Sequence, residues 1–97
     1  MKTPWIEYEL MWMIRPDLSQ EEMKQEIDGV MKVLSESRRV QLNGRSQRKL
    51  AYQIGKYQEA HYVQMEFDGY GQLVKKLEKY LQVNENGLRF MILKKAA

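Results

Sequence analysis

Residues able to do chemistry are few and badly placed for catalysis. His61 is the only histidine and cysteine is absent, so the chain has no thiolate nucleophile, no sulfur-based zinc site and no disulfide framework. A lone histidine without an orienting partner is a poor general base, and His61 reads as a structural residue. No phosphate-cradling glycine loop and no H-E-x-x-H helix occurs, and the Asp and Glu residues fall mainly on helix faces that would meet solvent. These features point to a protein that is not an enzyme and that carries no cofactor and no metal. One stretch does have chemistry of another kind. Between Arg38 and Lys56 the sequence RRVQLNGRSQRKLAYQIGK holds six basic residues and no acidic one. The preceding residues balance to −4 and the following ones to +1, so this stretch supplies the whole net charge of +3. Concentrated positive charge on one segment is the electrostatic footprint of nucleic-acid binding, although basic side chains on an edge strand also discourage aggregation.

The elements that must position this charge follow from periodicity. WIEYELMWMI alternates, with Tyr8, Leu10, Trp12 and Ile14 on one face, and predicts a first strand ended by Arg15-Pro16-Asp17. Ser19 and Glu22 have the spacing of a capping box, with Leu18 and Met23 at the positions of a hydrophobic staple, so a helix should begin at Gln20. Its apolar stripe is Met23, Ile27, Val30, Met31 and Leu34, and Gly29 within it suggests the close approach of another backbone. Residues 38–56 predict a second strand with a turn or bulge at Asn43-Gly44, in which Leu50, Tyr52 and Ile54 read as the anchor in the core. A turn over Gly55 to Glu59 would lead into the strand HYVQMEF, whose His61, Val63, Met65 and Phe67 share the inward face. Leu73, Leu77 and Leu81, flanked by Val74 and Tyr80, mark a second helix, and LRFMILK a fourth strand before a short basic tail.

Strand, helix, strand, strand, helix, strand with right-handed crossovers predicts an α+β, ferredoxin-like βαββαβ sandwich. Its four-stranded antiparallel sheet has spatial order 4-1-3-2, and both helices cover one face. The other face would display Glu7, Met11, Met13, Tyr62, Glu66, Arg89 and Met91. With 97 residues the chain reads as a single domain, 1–97. Its longest apolar run is far shorter than the roughly 20 residues a membrane span needs, so no membrane association is expected. The first ten residues match neither a secretory leader nor a transit peptide, which implies a protein that stays where it is made.

Two families with this topology fit poorly. The acylphosphatases would need a glycine-rich anion cradle where Arg15-Pro16-Asp17-Leu18-Ser19 stands, and RNA-recognition motifs would need a K/R-G-F/Y pattern that the third strand lacks. A different ordered set of residues covers nearly the whole chain: Tyr8-Glu9, Arg15-Pro16-Asp17-Leu18, Arg48-Lys49-Leu50-Ala51-Tyr52-Gln53-Ile54, Tyr62-Val63 and Leu88-Arg89-Phe90. In these the chain resembles the bacterial-type small ribosomal subunit protein six family. It departs from the family's pattern with Gln53 where proline is usual and Ala60 where glycine is common.

The resemblance implies a structural constituent of the small ribosomal subunit that binds small-subunit ribosomal RNA together with small-subunit protein eighteen, without a small-molecule substrate. By matching positions, Lys56, Arg89 and Lys94 are the implied RNA contacts; Arg45, Arg48 and Lys49 join them on charge alone. The second strand, an edge in the 4-1-3-2 order, is the expected surface for the partner protein. The location implied is the ribosome, in the cytoplasm or in the stroma of a plastid. The competing reading is a non-enzymatic ferredoxin-like protein-interaction or dimerisation module whose basic edge is merely solvated.

Overall fold

The computed structural model describes residues 5–95. Residues 1–4, within the segment read as carrying no leader, and residues 96–97, in the closing tail, lie outside them. The elements run β1 (Ile6–Ile14), α1 (Gln20–Val33), a 3-10 turn (Leu34–Glu36), β2 (Arg39–Ile54), β3 (Tyr57–Gly69), α2 (Gly71–Gln82) and β4 (Gly87–Lys94). The sheet is antiparallel in the order β2-β3-β1-β4, the predicted 4-1-3-2 read from the other edge.

Local chemistry explains why the elements start where they do. Ser19 caps α1: its hydroxyl accepts from the Glu22 backbone N–H, and the Glu22 carboxylate accepts from the Ser19 N–H, so two otherwise orphaned helix donors are satisfied. The carboxyl of Glu22 is held below its usual range by these Ser19 hydrogen bonds. At the far end of α2, the side-chain oxygen of Asn84 accepts from the backbone N–H groups of Asn86 and Gly87, which turns the chain into β4. The Asn84 and Asn86 amides both donate to the Glu26 carboxylate, tying this turn to α1.

Between the helices and the sheet lies the core. Tyr8, Leu10, Trp12 and Ile14 from β1 meet Val63, Met65 and Phe67 from β3, under Met23, Ile27 and Val30 of α1, Leu34 beyond it, and Leu73, Leu77 and Leu81 of α2. Tyr8 lies opposite Phe67 in the strand register, and their rings stack with centroids 5.4 Å apart. Burial of these side chains is the main force holding the layers together.

Four details differ from expectation. Met31 is exposed, because it lies at the margin of the α1 stripe, whose buried residues are Met23, Ile27 and Val30. Gly29 admits a side chain, not a backbone: a Cβ there would fall on the Tyr80 hydroxyl of α2. The expected five-residue turn contracts to Gly55-Lys56, with Gly55 in the left-handed region at φ +57°, and β3 gains residues at both ends. Finally, Leu50, Tyr52 and Ile54 do not anchor in the helix-covered core. β1 ends where Ile14 pairs with His61, whereas β2 and β3 continue to Ile54 opposite Tyr57. The tip of this hairpin therefore projects past the rest of the sheet, with Tyr52 85% exposed.

A candidate nucleic-acid interface on the open face and hairpin

The open face is built in rows set by strand register. Ser46, Tyr62, Met13 and Arg89 line up across the four strands; Gly44, Gln64, Met11 and Met91 form the next row. Towards the other end Gln41, Glu66, Glu9 and Leu93 follow. The bulge expected at Asn43-Gly44 is present as a register shift between Leu42 and Gly44. Its consequence is a change of parity: odd-numbered Arg39 and Gln41 share the open face before it, and even-numbered Gly44, Ser46 and Arg48 do so after it.

The six predicted RNA-binding residues are consequently not one patch. Arg48, opposite Ala60, is on the open face; its guanidinium lies over the Tyr62 ring, 5.4 Å from the centroid, and Nε donates to the Ser46 hydroxyl. Arg89, opposite Met13, shares that face, and Lys56 sits at the hairpin tip with its ammonium 5.5 Å from the Tyr57 ring centroid. Arg45, opposite Val63, belongs to the helix-covered face and donates to the side-chain oxygen of Gln20 at the start of α1. Lys49, opposite Glu59, also has helix-face parity, and Lys94, opposite Tyr8, does so at the far edge. Among the described residues none of these six takes part in an ion pair.

Two further cations of the basic stretch are committed to the protein itself. Arg38 donates from Nε and Nη2 to one oxygen of Asp68, at 3.0 and 2.6 Å, and Arg39 approaches the other at 3.5 Å. Asp68 is only 2% exposed, and Arg38 holds its carboxyl below the usual range despite the opposing effect of burial. Arg38 also lies over the Trp5 ring. At the acidic end of the open face Lys95 pairs with Glu66 and lowers its pKa.

At the hairpin end the open face has a groove of about 460 Å³, lined by Met13, Leu50, Ala51, Tyr52, Ile54, Tyr62 and Arg89. This is where the apolar side chains assigned to the core actually go. No carboxylate lines the groove, and its one charge is Arg89. Tyr52 is the groove residue that alternation alone misplaces; the signal available was an aromatic between Arg48-Lys49 and Lys56 in a segment without acids. His61, half-buried between Ile14 and Gln47 in the strand register, has an Nε2 with no hydrogen-bond partner among the described residues. Among the described residues no cluster of His, Asp or Glu could hold a metal ion, and no helix is long and apolar enough to cross a membrane.

Comparison with known proteins gives a consistent picture. The family model described as Ribosomal protein S6 matches residues 7–94. The small ribosomal subunit protein bS6c of Cyanidioschyzon merolae is 80% identical over 95 residues, which cover 98% of this chain and 96% of that protein. The bS6 protein of Prochlorococcus marinus (strain MIT 9515) is 40% identical over 95% of this chain, and the match spans only 61% of that longer protein. The crystal structure of 30S ribosomal protein S6 from Thermotoga maritima superposes with a TM-score of 0.81 at 26% identity, covering 94% of this chain and 88% of the other.

Proposed function

We propose, for a chain that belongs to the ribosomal protein S6 family and is thus a structural, non-enzymatic protein of the small ribosomal subunit, that it binds small-subunit ribosomal RNA through its open face and hairpin tip. The observation that carries this reading is the placement of Arg48 and Arg89 on the open face and Lys56 at the tip, none of them in an ion pair among the described residues. Cations without an internal carboxylate partner neutralise phosphates and release counterions; they orient a protein on folded RNA without reading sequence. Arg45, Lys49 and Lys94 share this role at most from the flanks, since their strand parity directs them to the other side of the sheet.

Small-subunit protein eighteen is the partner in this reading, and β2 is the surface offered to it. β2 is terminal in the sheet and sixteen residues long, so it presents a row of backbone donors and acceptors available for pairing. The chain acts as one domain, on a ribosome; bS6c relatives, among them those from Cyanidioschyzon merolae and Guillardia theta, favour the ribosome of a plastid.

Sucrose-gradient migration of the protein with small subunits tests the placement, and hydrogen exchange tests the edge. The protein should travel with the subunit, and the outward amides of Arg39–Ile54 should gain protection when protein eighteen is added. A protein that stays at the top of the gradient refutes the first claim, and β2 amides that exchange equally with and without the partner refute the second.

A further inference from the structure

We propose that the groove under the hairpin tip is a slot for the base of one unpaired nucleotide, which stacks on Tyr52 and Tyr62 while Arg89 and Arg48 meet its phosphates. This deepens the RNA-binding reading and rests on it. The groove joins two chemistries that a nucleotide also joins. Its floor and walls are apolar, from Met13, Leu50 and Ile54, with two phenol rings; its charge is purely positive. A paired base in an RNA duplex cannot offer its face to a protein, whereas a base extruded from a bulge or loop can, and such bases are received on aromatic rings.

Tyr52 is fitted to this role by its surroundings. An aromatic side chain left 85% exposed on the part of β2 that runs past the end of β1 contributes little to folding, so its ring is available as a stacking surface. Tyr62 already carries the Arg48 guanidinium 5.4 Å from its ring centroid, which places a phosphate-binding group beside a stacking group. An acidic protein segment would satisfy the charge but would not call for two rings. An apolar protein side chain would satisfy the floor but leave Arg89 without an anion.

The experiment uses the full chain and two RNA hairpins, one fully paired and one with a single bulged 2-aminopurine nucleotide. The bulged hairpin should bind more tightly, by roughly 5- to 150-fold, the range expected for one base stacked on an aromatic ring. Its fluorescence should be quenched on binding. Tyr52→Leu should erase both the preference and the quenching, and Tyr52→Phe should retain both. A preference that is absent, or one that survives Tyr52→Leu, overturns the slot. If salt-dependent binding to both hairpins persists in that case, phosphate recognition stands and the groove serves a protein side chain instead. Absence of salt-dependent binding to either hairpin overturns the RNA-binding reading and the slot together.

Discussion

Asp68→Asn isolates the part of the basic stretch that stabilises the fold. The carboxylate accepts two hydrogen bonds from Arg38, at 3.0 and 2.6 Å, and a longer one from Arg39 at 3.5 Å, in a position 2% exposed. Hydrogen bonds to charged groups contribute about 1.5–3 kcal/mol net in such settings. The guanidinium groups keep 61% and 41% exposure and regain water when the charge is removed, so the substitution should cost near the low end, about 2 kcal/mol. For a domain of this size that corresponds to a fall in Tm of roughly 8–16 °C. The pH dependence has a definite sign. Arg38 depresses the folded pKa of Asp68, so its contribution is complete above the unfolded value of about 3.9 and disappears as pH falls through the folded pKa. Urea denaturation at pH 7 and across the acid range should therefore find parent and variant converging at low pH. Asp17→Asn is the internal control. Arg15 pulls the carboxyl of Asp17 down to about 2, but the pair is exposed and its removal should leave the midpoint nearly unchanged. Equal stability of parent and Asp68→Asn at pH 7, or a gap between them that does not narrow in acid, would refute the assignment.

Gly29→Ala sets two effects against each other: about 1 kcal/mol of gained helix propensity, and a clash of the new Cβ with the Tyr80 hydroxyl worth about 1–3 kcal/mol. The single variant should be destabilised in urea, and Gly29→Ala with Tyr80→Phe should recover, since the next atom, the ring carbon bearing that oxygen, is 3.2 Å from the Cβ position; additive effects would count against the clash. Ser19→Ala removes the capping box and should lower stability by about 1 kcal/mol, measured by the same denaturation. Tyr52→Ser should leave the thermal midpoint unchanged, because the ring is 85% exposed, and a clear drop would restore the core-anchor role expected from alternation.

The fold was legible because its signals are local. A capping box at Ser19-Glu22, a bulge at Asn43-Gly44 and alternation in β1 each act within a few residues, and each lies where expected. The resemblance supplied the family, and the family model agrees. What could not be read was whatever depends on distant chain. Alternation assigns Leu50, Tyr52 and Ile54 to one face but does not say whether another strand reaches far enough to cover them; β1 stops short. Charge clustering pooled Arg38 and Arg39 with Arg48, yet the partner that neutralises the first two, Asp68, is 29 and 30 residues away. Arg45 and Arg48 looked equivalent on charge alone, and strand parity places them on opposite faces.

RNA-phosphate binding by Arg48, Lys56 and Arg89, which form no ion pair among the described residues, is the core of the proposed function. Its most direct test is filter binding of a small-subunit RNA fragment over a salt series, for the parent and for Arg48→Ala, Lys56→Ala and Arg89→Ala combined. Removing one cation from its phosphate should reduce the slope of log K against log salt by about 0.7–0.9, so the triple variant should be shallower by about 2–3. Parallel slopes for parent and variant, at equal folded stability, would contradict the account.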